Sequence, residues 1–248
     1  MTGQAPPHTL SQLGDIRAEI DAIDQGIFDL LVQRSALVQD VARAKADAVD
    51  AIPLRPLREA SQMARILAWC RETGIAYPDI SILSIWREII GASIAQQGGM
   101  VILTTQEGLS AARLYFGSAL TYKCLPSAAE VLSTAIATGA VGVVSIDDYA
   151  DWQNKRPMTG RFVARLSLVG ADRFLCFGEL PDEQGYDASN LNITYLLEGQ
   201  VDVDQALKEK SLIRLAQNGS VSLFSGPAPV DGLKTLGSFV SFDLRDMA

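Results

Sequence analysis

Arg34 and Lys45 stand where packing alone would not put them. Apolar residues recur at Leu13, Ile16, Ile20, Ile23, Ile27 and Leu30, in alternating steps of three and four. They resume at Leu37, Val41 and Ala44. The count lands on Arg34 where another apolar side chain is due. A guanidinium in an apolar seam is costly unless an anion meets it. Lys45, eleven residues on, lies nearly on the same side of a helix, with its backbone about 16 Å away. Two long side chains leaning together can grip an anion about the size of one ring. Arg17 is roughly 42 Å from Lys45 along that helix, so it joins such a site only from a second copy of the chain. Glu59, in the first turn of a second helix, is a candidate acceptor for a ligand hydroxyl. Ser93 and Gln97, four apart, continue an otherwise apolar line on a third. Taken singly, each has a plainer reading: a solvated cation, a charge that offsets the helix dipole, an exposed last turn. Only the set points to a site.

The elements that must position this set are three helices. Leu13 to Lys45 contains no Pro and only Gly14 and Gly26, so the spacing predicts one helix roughly 50 Å long. That is too long for a small domain to cover, and it is expected to pack against helices of a second copy. Thr9 or Ser11 is the expected cap. Pro53 and Pro56 mark a break. A second helix is expected from Pro56 to Glu72, with Met63, Ile66, Leu67 and Cys70 on its apolar face and Gly74 as the stop. Pro78 and Asp79 open the third, whose stripe reads Ile82, Ile85 or Trp86, Ile89, then Ser93 and Gln97. Gly98-Gly99 is the clearest linker in the chain.

Beyond Met100 the texture changes. β-like runs begin near residues 100, 141, 161, 173, 192, 220 and 238. Helical patterns at 127–139 and 202–219 are interspersed. That order argues for an α/β or α+β region.

Composition narrows the function. The chain has 248 residues, 48% of them apolar, and a net charge of −8. It reads as a globular protein with no nucleic-acid partner, since phosphate binding needs a basic surface. No run is long enough to span a membrane, and the N-terminus has no apolar core of signal-peptide length. The three cysteines, Cys70, Cys124 and Cys176, are scattered and not spaced for a metal; they suit a cytoplasmic protein. The single histidine, His8, lies in a Pro-containing tail. Neither a His-based mechanism nor a His-rich metal site is expected, and no cofactor is called for.

The order Arg17, Ile20-Asp21, Ile23-Asp24, Leu30-Leu31, Arg34, Leu37, Val41-Ala42, Lys45, then Pro56-Leu57-Arg58-Glu59, then Ser93 and Gln97 resembles the all-helical chorismate mutases. The resemblance covers about residues 11–97. It implies an all-α, three-helix mutase domain forming an intertwined homodimer, with conversion of chorismate to prephenate, the branch step toward phenylalanine and tyrosine. It implies that Arg34 and the partner subunit's Arg17 hold the two substrate carboxylates. Lys45 and Gln97 would donate to the ether oxygen and Glu59 would accept from the ring hydroxyl. Arg58 would lie at the site's edge, and Ser93 would line it. One departure stands out. The family often carries an Asp about one turn before the Arg-Glu pair; here the neighbourhood is Leu54-Arg55-Pro56, which leaves the hydroxyl to Glu59.

The remainder resembles, more weakly, the rest of the fused mutase–prephenate dehydratases. Residues 100–168 are similar to a shortened dehydratase segment, and 169–248 to an α+β ACT-like segment, after a tail at 1–10, the helical domain at 11–97 and a linker at 98–99. The dehydratase marks depart from the pattern: Asp172-Arg173-Phe174 replaces Thr-Arg-Phe, Asp147-Asp148-Tyr149 replaces an acidic-Asn segment, and Gly199-Gln200-Val201 replaces an effector-loop motif. No dehydratase activity is expected. Two other readings stand beside the mutase: a bifunctional mutase–dehydratase, and a non-catalytic sensor of aromatic metabolites or regulatory subunit.

Overall fold

Helix α1 runs from Leu10 to Lys45, roughly 54 Å at the usual rise. In the computed structural model the described residues are 10–45, 54–157, 159–166, 173–179, 193–200 and 212–240. Ser11 lies inside α1 and so is not its cap, and Thr9 falls outside the described residues. The apolar stripe is open: Ile20, Ile23, Ile27, Leu30 and Leu37 are each at least half exposed. Residues 1–48 form one unit and 49–248 a second.

The second unit is built on a mixed nine-stranded sheet. Two helices precede it, α2 (Pro56–Thr73) and α3 (Asp79–Gln96). Pro56 suits the first helical position because its missing N–H is not needed there. Gly74, at φ 60°, ends α2 by donating to the Cys70 carbonyl at 3.0 Å. Strands and helices then alternate through β1 (Val101–Thr104), α4 (Leu109–Phe116), β2 (Thr121–Cys124), α5 (Ala128–Thr138), β3 (Val141–Ser145) and α6 (Tyr149–Trp152). Six strands follow: β4 (Arg161–Arg165), β5 (Phe174–Gly178), β6 (Ile193–Gly199), β7 (Ile213–Asn218), β8 (Val221–Gly226) and β9 (Lys234–Val240). The order across the sheet is β2-β1-β3-β5-β4-β9-β6-β8-β7. β1 is parallel to β2 and β3, and β4 is parallel to β9; the other pairings are antiparallel.

Side chains alternate between two cores, as a pleated sheet covered on both faces requires. Ile102, Val143 and Cys176 join α2, α3 and α4 in one; Leu103, Val144, Leu175 and Phe177 join α5 and α6 in the other. A register shift between Phe162 and Ala164 lets Val163 and Ala164 both face the first core. The Gly98-Gly99 step therefore runs between elements of one core, and β4 and β5, either side of residue 168, are neighbours in one sheet.

Two sequence expectations need correcting. Residues 213–218, within the expected helix at 202–219, form β7; 201–211 lie outside the described residues. A two-residue turn, Gly219-Ser220, folds β7 back on β8, with Gly219 at φ 60°; Gly-Ser between two strands is a hairpin signal. The buried face of α3 is also rotated. It carries Ile82, Leu83, Arg87, Ile90, Gly91, Ser93 and Ile94; of the two alternatives for the next position, Ile85 is exposed and Trp86 packs partly buried against the core. Gly91 sets that rotation: a Cβ there would run into the Phe116 carbonyl oxygen at the end of α4.

Candidate functional site

On α1, Arg34 is half-buried and Arg17 is exposed. Lys45 is the last residue of the helix, and its side chain lies outside the described residues. The stripe that Arg34 interrupts is the exposed one.

In the second unit the pieces are tighter. Glu59 sits in the first turn of α2, and its N–H closes that turn on the Arg55 carbonyl at 2.9 Å. Its carboxylate is buried, with Oε2 accepting from Arg87 Nη1 at 3.2 Å; the two side chains are 9% and 5% exposed. The Arg87 guanidinium also lies 3.8 Å from the centroid of the Tyr115 ring, on α4, a cation–π contact in a dry setting. Its Nε is buried with no hydrogen-bond partner among the described residues. The negative end of this cluster reaches further. Burial raises the Cys176 thiol well above its usual range, and the Glu59 charge adds to that. Burial likewise raises Tyr115, against the lowering effect of Arg87.

Arg87 is the residue that sequence reasoning missed. The signal was there, since Ile82, Leu83, Ile90 and Ile94 form an apolar face that Arg87 interrupts much as Arg34 interrupts α1. The stripe through Ile85 or Trp86 and Ile89 passes it by. Of the predicted residues, Ser93 and Gln97 do come together. Ser93 is buried, and its hydroxyl donates to the Ile89 carbonyl at 2.7 Å; Gln97 Nε2 donates to the Ser93 carbonyl at 3.1 Å. Arg58 is exposed. Arg55, at the departure from the family pattern, donates to the Leu54 carbonyl at 3.0 Å.

The second unit holds a buried carboxylate paired with Arg87 at the start of α2 and, separately, an amide at the end of α3. Such groups can accept from a hydroxyl and donate to an oxygen. Among the described residues no group of three or more His, Cys, Asp or Glu is placed to hold a metal.

Residues 16–98 match the family model for chorismate mutase type II. The matched stretch runs from within α1 to just past α3 and contains every site residue named above from Arg17 to Gln97. A bifunctional chorismate mutase/prephenate dehydratase from Stutzerimonas stutzeri is 31% identical over 147 residues, covering 55% of this chain and 39% of that protein. The chain thus spans well under half the length of this curated relative. More than half of the chain is matched, so the likeness to this relative extends beyond the mutase stretch. No solved structure matches the chain. No helix among the described residues is long and apolar enough to cross a membrane.

The dehydratase-like positions are differently occupied. Arg173 is ion-paired with Asp147, and that hydrogen bond holds the Asp147 carboxyl below its usual range. Asp148 is shifted up, first by burial and then by Glu107, Asp151 and Asp147. The Tyr149 hydroxyl donates to Glu198 at 3.0 Å. Asp172 lies outside the described residues.

Proposed function

We propose that the chain is a chorismate mutase acting as a homodimer in the cytoplasm. It would rearrange chorismate to prephenate in aromatic amino-acid biosynthesis. The observation that carries this reading is the family match over residues 16–98, which encloses the complete set Arg17, Arg34, Lys45, Arg58, Glu59, Ser93 and Gln97. The rearrangement is pericyclic and asks for no nucleophile, metal or general base. The protein must hold the compact reactive shape of its substrate and put positive charge where the ether oxygen becomes negative. Arg34 and the partner subunit's Arg17 grip the two carboxylates through paired hydrogen bonds. Lys45 and Gln97 donate to the ether oxygen. Glu59 accepts from the ring hydroxyl, with Arg58 at the edge and Ser93 lining the site. The dimer is supported by the open apolar face of α1, which exposes Ile23 and Leu30 by 63% and 65%.

The second half is read as a reduced relic of the dehydratase and ACT-like region, without dehydratase activity. The extent of the match to the bifunctional relative supports the kinship. The departures Asp172-Arg173-Phe174 and Asp147-Asp148-Tyr149 from the dehydratase pattern support the loss of activity.

Loss of chorismate ultraviolet absorbance, with prephenate assayed as product, tests the reading. Wild type should turn over, and Arg34→Ala should fall by about a thousandfold or more in kcat/KM, the scale of removing a buried charge that meets the substrate. A folded, dimeric wild type without turnover would sink the mutase reading in favour of a sensor subunit.

A further inference from the structure

The buried pair of Arg87 and Glu59, with Nη1 donating to Oε2 at 3.2 Å, is hard to account for by stability. Burying two charges costs about as much as their attraction returns. The Arg87 Nε–H adds to that cost, being buried with no hydrogen-bond partner among the described residues. Packing alone would favour an apolar side chain at 87. What the guanidinium does is fix a carboxylate in the first turn of α2, 9% of whose side chain is exposed. A carboxylate has about four acceptor positions, so Glu59 can hold Arg87 and still accept from a hydroxyl.

Arg87 is in turn held from beyond the family match, which ends at residue 98. Its guanidinium lies 3.8 Å from the centroid of the Tyr115 ring. The end of the same helix, α4, sets its backbone. A Cβ on Gly117, at φ 81°, would come within 3.1 Å of the Arg87 carbonyl oxygen, and one on Gly91 would strike the Phe116 carbonyl. The neighbouring Glu88 carboxylate accepts from the Ser118 N–H at 2.9 Å and from its hydroxyl at 2.8 Å. α3 is thereby locked against the end of α4, and Arg87 against Glu59.

We propose that Arg87 is a positioning residue of the mutase site, holding the Glu59 carboxylate in the orientation that accepts from the ring hydroxyl of chorismate. This rests on the mutase reading above. A buried carboxylate deprived of its cation would neutralise or turn toward water, and either change removes the acceptor.

The test compares kcat/KM for chorismate across Arg87→Met, Glu59→Gln and the two together, each checked for its fold by circular dichroism. Either single change should lower kcat/KM by about tenfold or more, the scale of a hydrogen bond to a charged group. The double variant should be no worse than Glu59→Gln, because both changes remove one interaction. On a chorismate analogue with hydrogen in place of the ring hydroxyl, Arg87→Met and wild type should differ by less than about threefold, since Glu59 has nothing to accept. If Arg87→Met does not fold, Arg87→Lys, which keeps a cation but loses the planar fork, should show the same pattern at about threefold or more. Losses that add in the double variant, or that are as large on the analogue, overturn the proposal and leave the mutase reading intact. A wild type without turnover overturns both.

Discussion

Helix α1 and the α2–α3 pair fall within one family match, yet they differ in how a single chain treats their apolar faces. Met63, Ile66 and Leu67 of α2 and Ile82, Leu83, Ile90 and Ile94 of α3 are buried in a core shared with the sheet. On α1, Ile20, Ile23, Ile27, Phe28, Leu30 and Leu37 are between 50% and 65% exposed. Recovering about half the transfer free energy of six such side chains is on the order of 5–10 kcal/mol, comparable to the whole stability of a domain. The sheet satisfies α2 and α3 within the chain. The same accounting leaves α1 needing a partner, and an exposed apolar face of that size marks an interaction surface. The residues proposed for the site follow the same divide: Arg17, Arg34 and Lys45 sit on α1, Glu59, Ser93 and Gln97 on α2 or at the end of α3.

The sharpest way to break that contrast is to charge the α1 face. Ile23→Asp with Leu30→Asp should convert the proposed dimer to a monomer by light scattering after size exclusion. Helical ellipticity should drop, and chorismate turnover should fall by about a thousandfold or more as the charge-donating groups lose their framework. The second unit should keep its own unfolding transition. A double variant that remains an active dimer would show that the exposed stripe is not the interface.

A smaller effect probes the α2–α3 side. Arg87→Met removes the guanidinium paired with the buried Glu59 carboxylate, which should cost about 3–5 kcal/mol. Adding Glu59→Gln should restore a good part of that, because a buried pair replaced as a pair is far less costly than one broken. Urea midpoints at unchanged slope measure both. If the single and double variants are equally destabilised, the two side chains are not coupled and Arg87 acts only through Tyr115.

Much of this architecture was legible beforehand. The break at Pro56, the apolar face of α2 and the stop at Gly74 all follow from local chemistry that tertiary contacts leave alone. Arg34 stood out because a charge in a regular stripe is a local anomaly. The rotation of α3 was not legible, since it depends on Gly91 meeting the Phe116 carbonyl twenty-five residues away. Nor was the single sheet. β1, β3 and β5 each read as a short apolar run, and nothing local says that β5 inserts between β3 and β4. β7 is not legible as a strand because Ile213, Leu215 and Ala216 fit a helix as well as a strand; the Gly219-Ser220 turn is the only local signal that favours the hairpin.

The smallest expected effect separates the two regions by pH. Asp151 accepts from Lys155 at 2.7 Å and from the Ala129 N–H, at the start of α5, at 3.1 Å. The Lys155 hydrogen bond is the larger cause and the backbone N–H the next, and together they hold its carboxyl below the ordinary value of 3.8. A carboxylate lowered on folding stabilises the fold above its unfolded pKa. That contribution fades as pH falls through 3.8 toward the folded value. Asp151→Asn should therefore cost about 1 kcal/mol or less near neutrality, with the gap from wild type closing as pH falls below 3.8. Asp148 titrates with the opposite sign, because burial raises it, so wild type alone cannot isolate the effect and the difference between variants must be read. The dependence belongs to the second unit, where α5 and α6 meet, whereas α1 should respond to protein concentration instead. Unfolding followed at two pH values and two concentrations resolves the pair: a transition that moves with concentration but not with Asp151→Asn is that of α1.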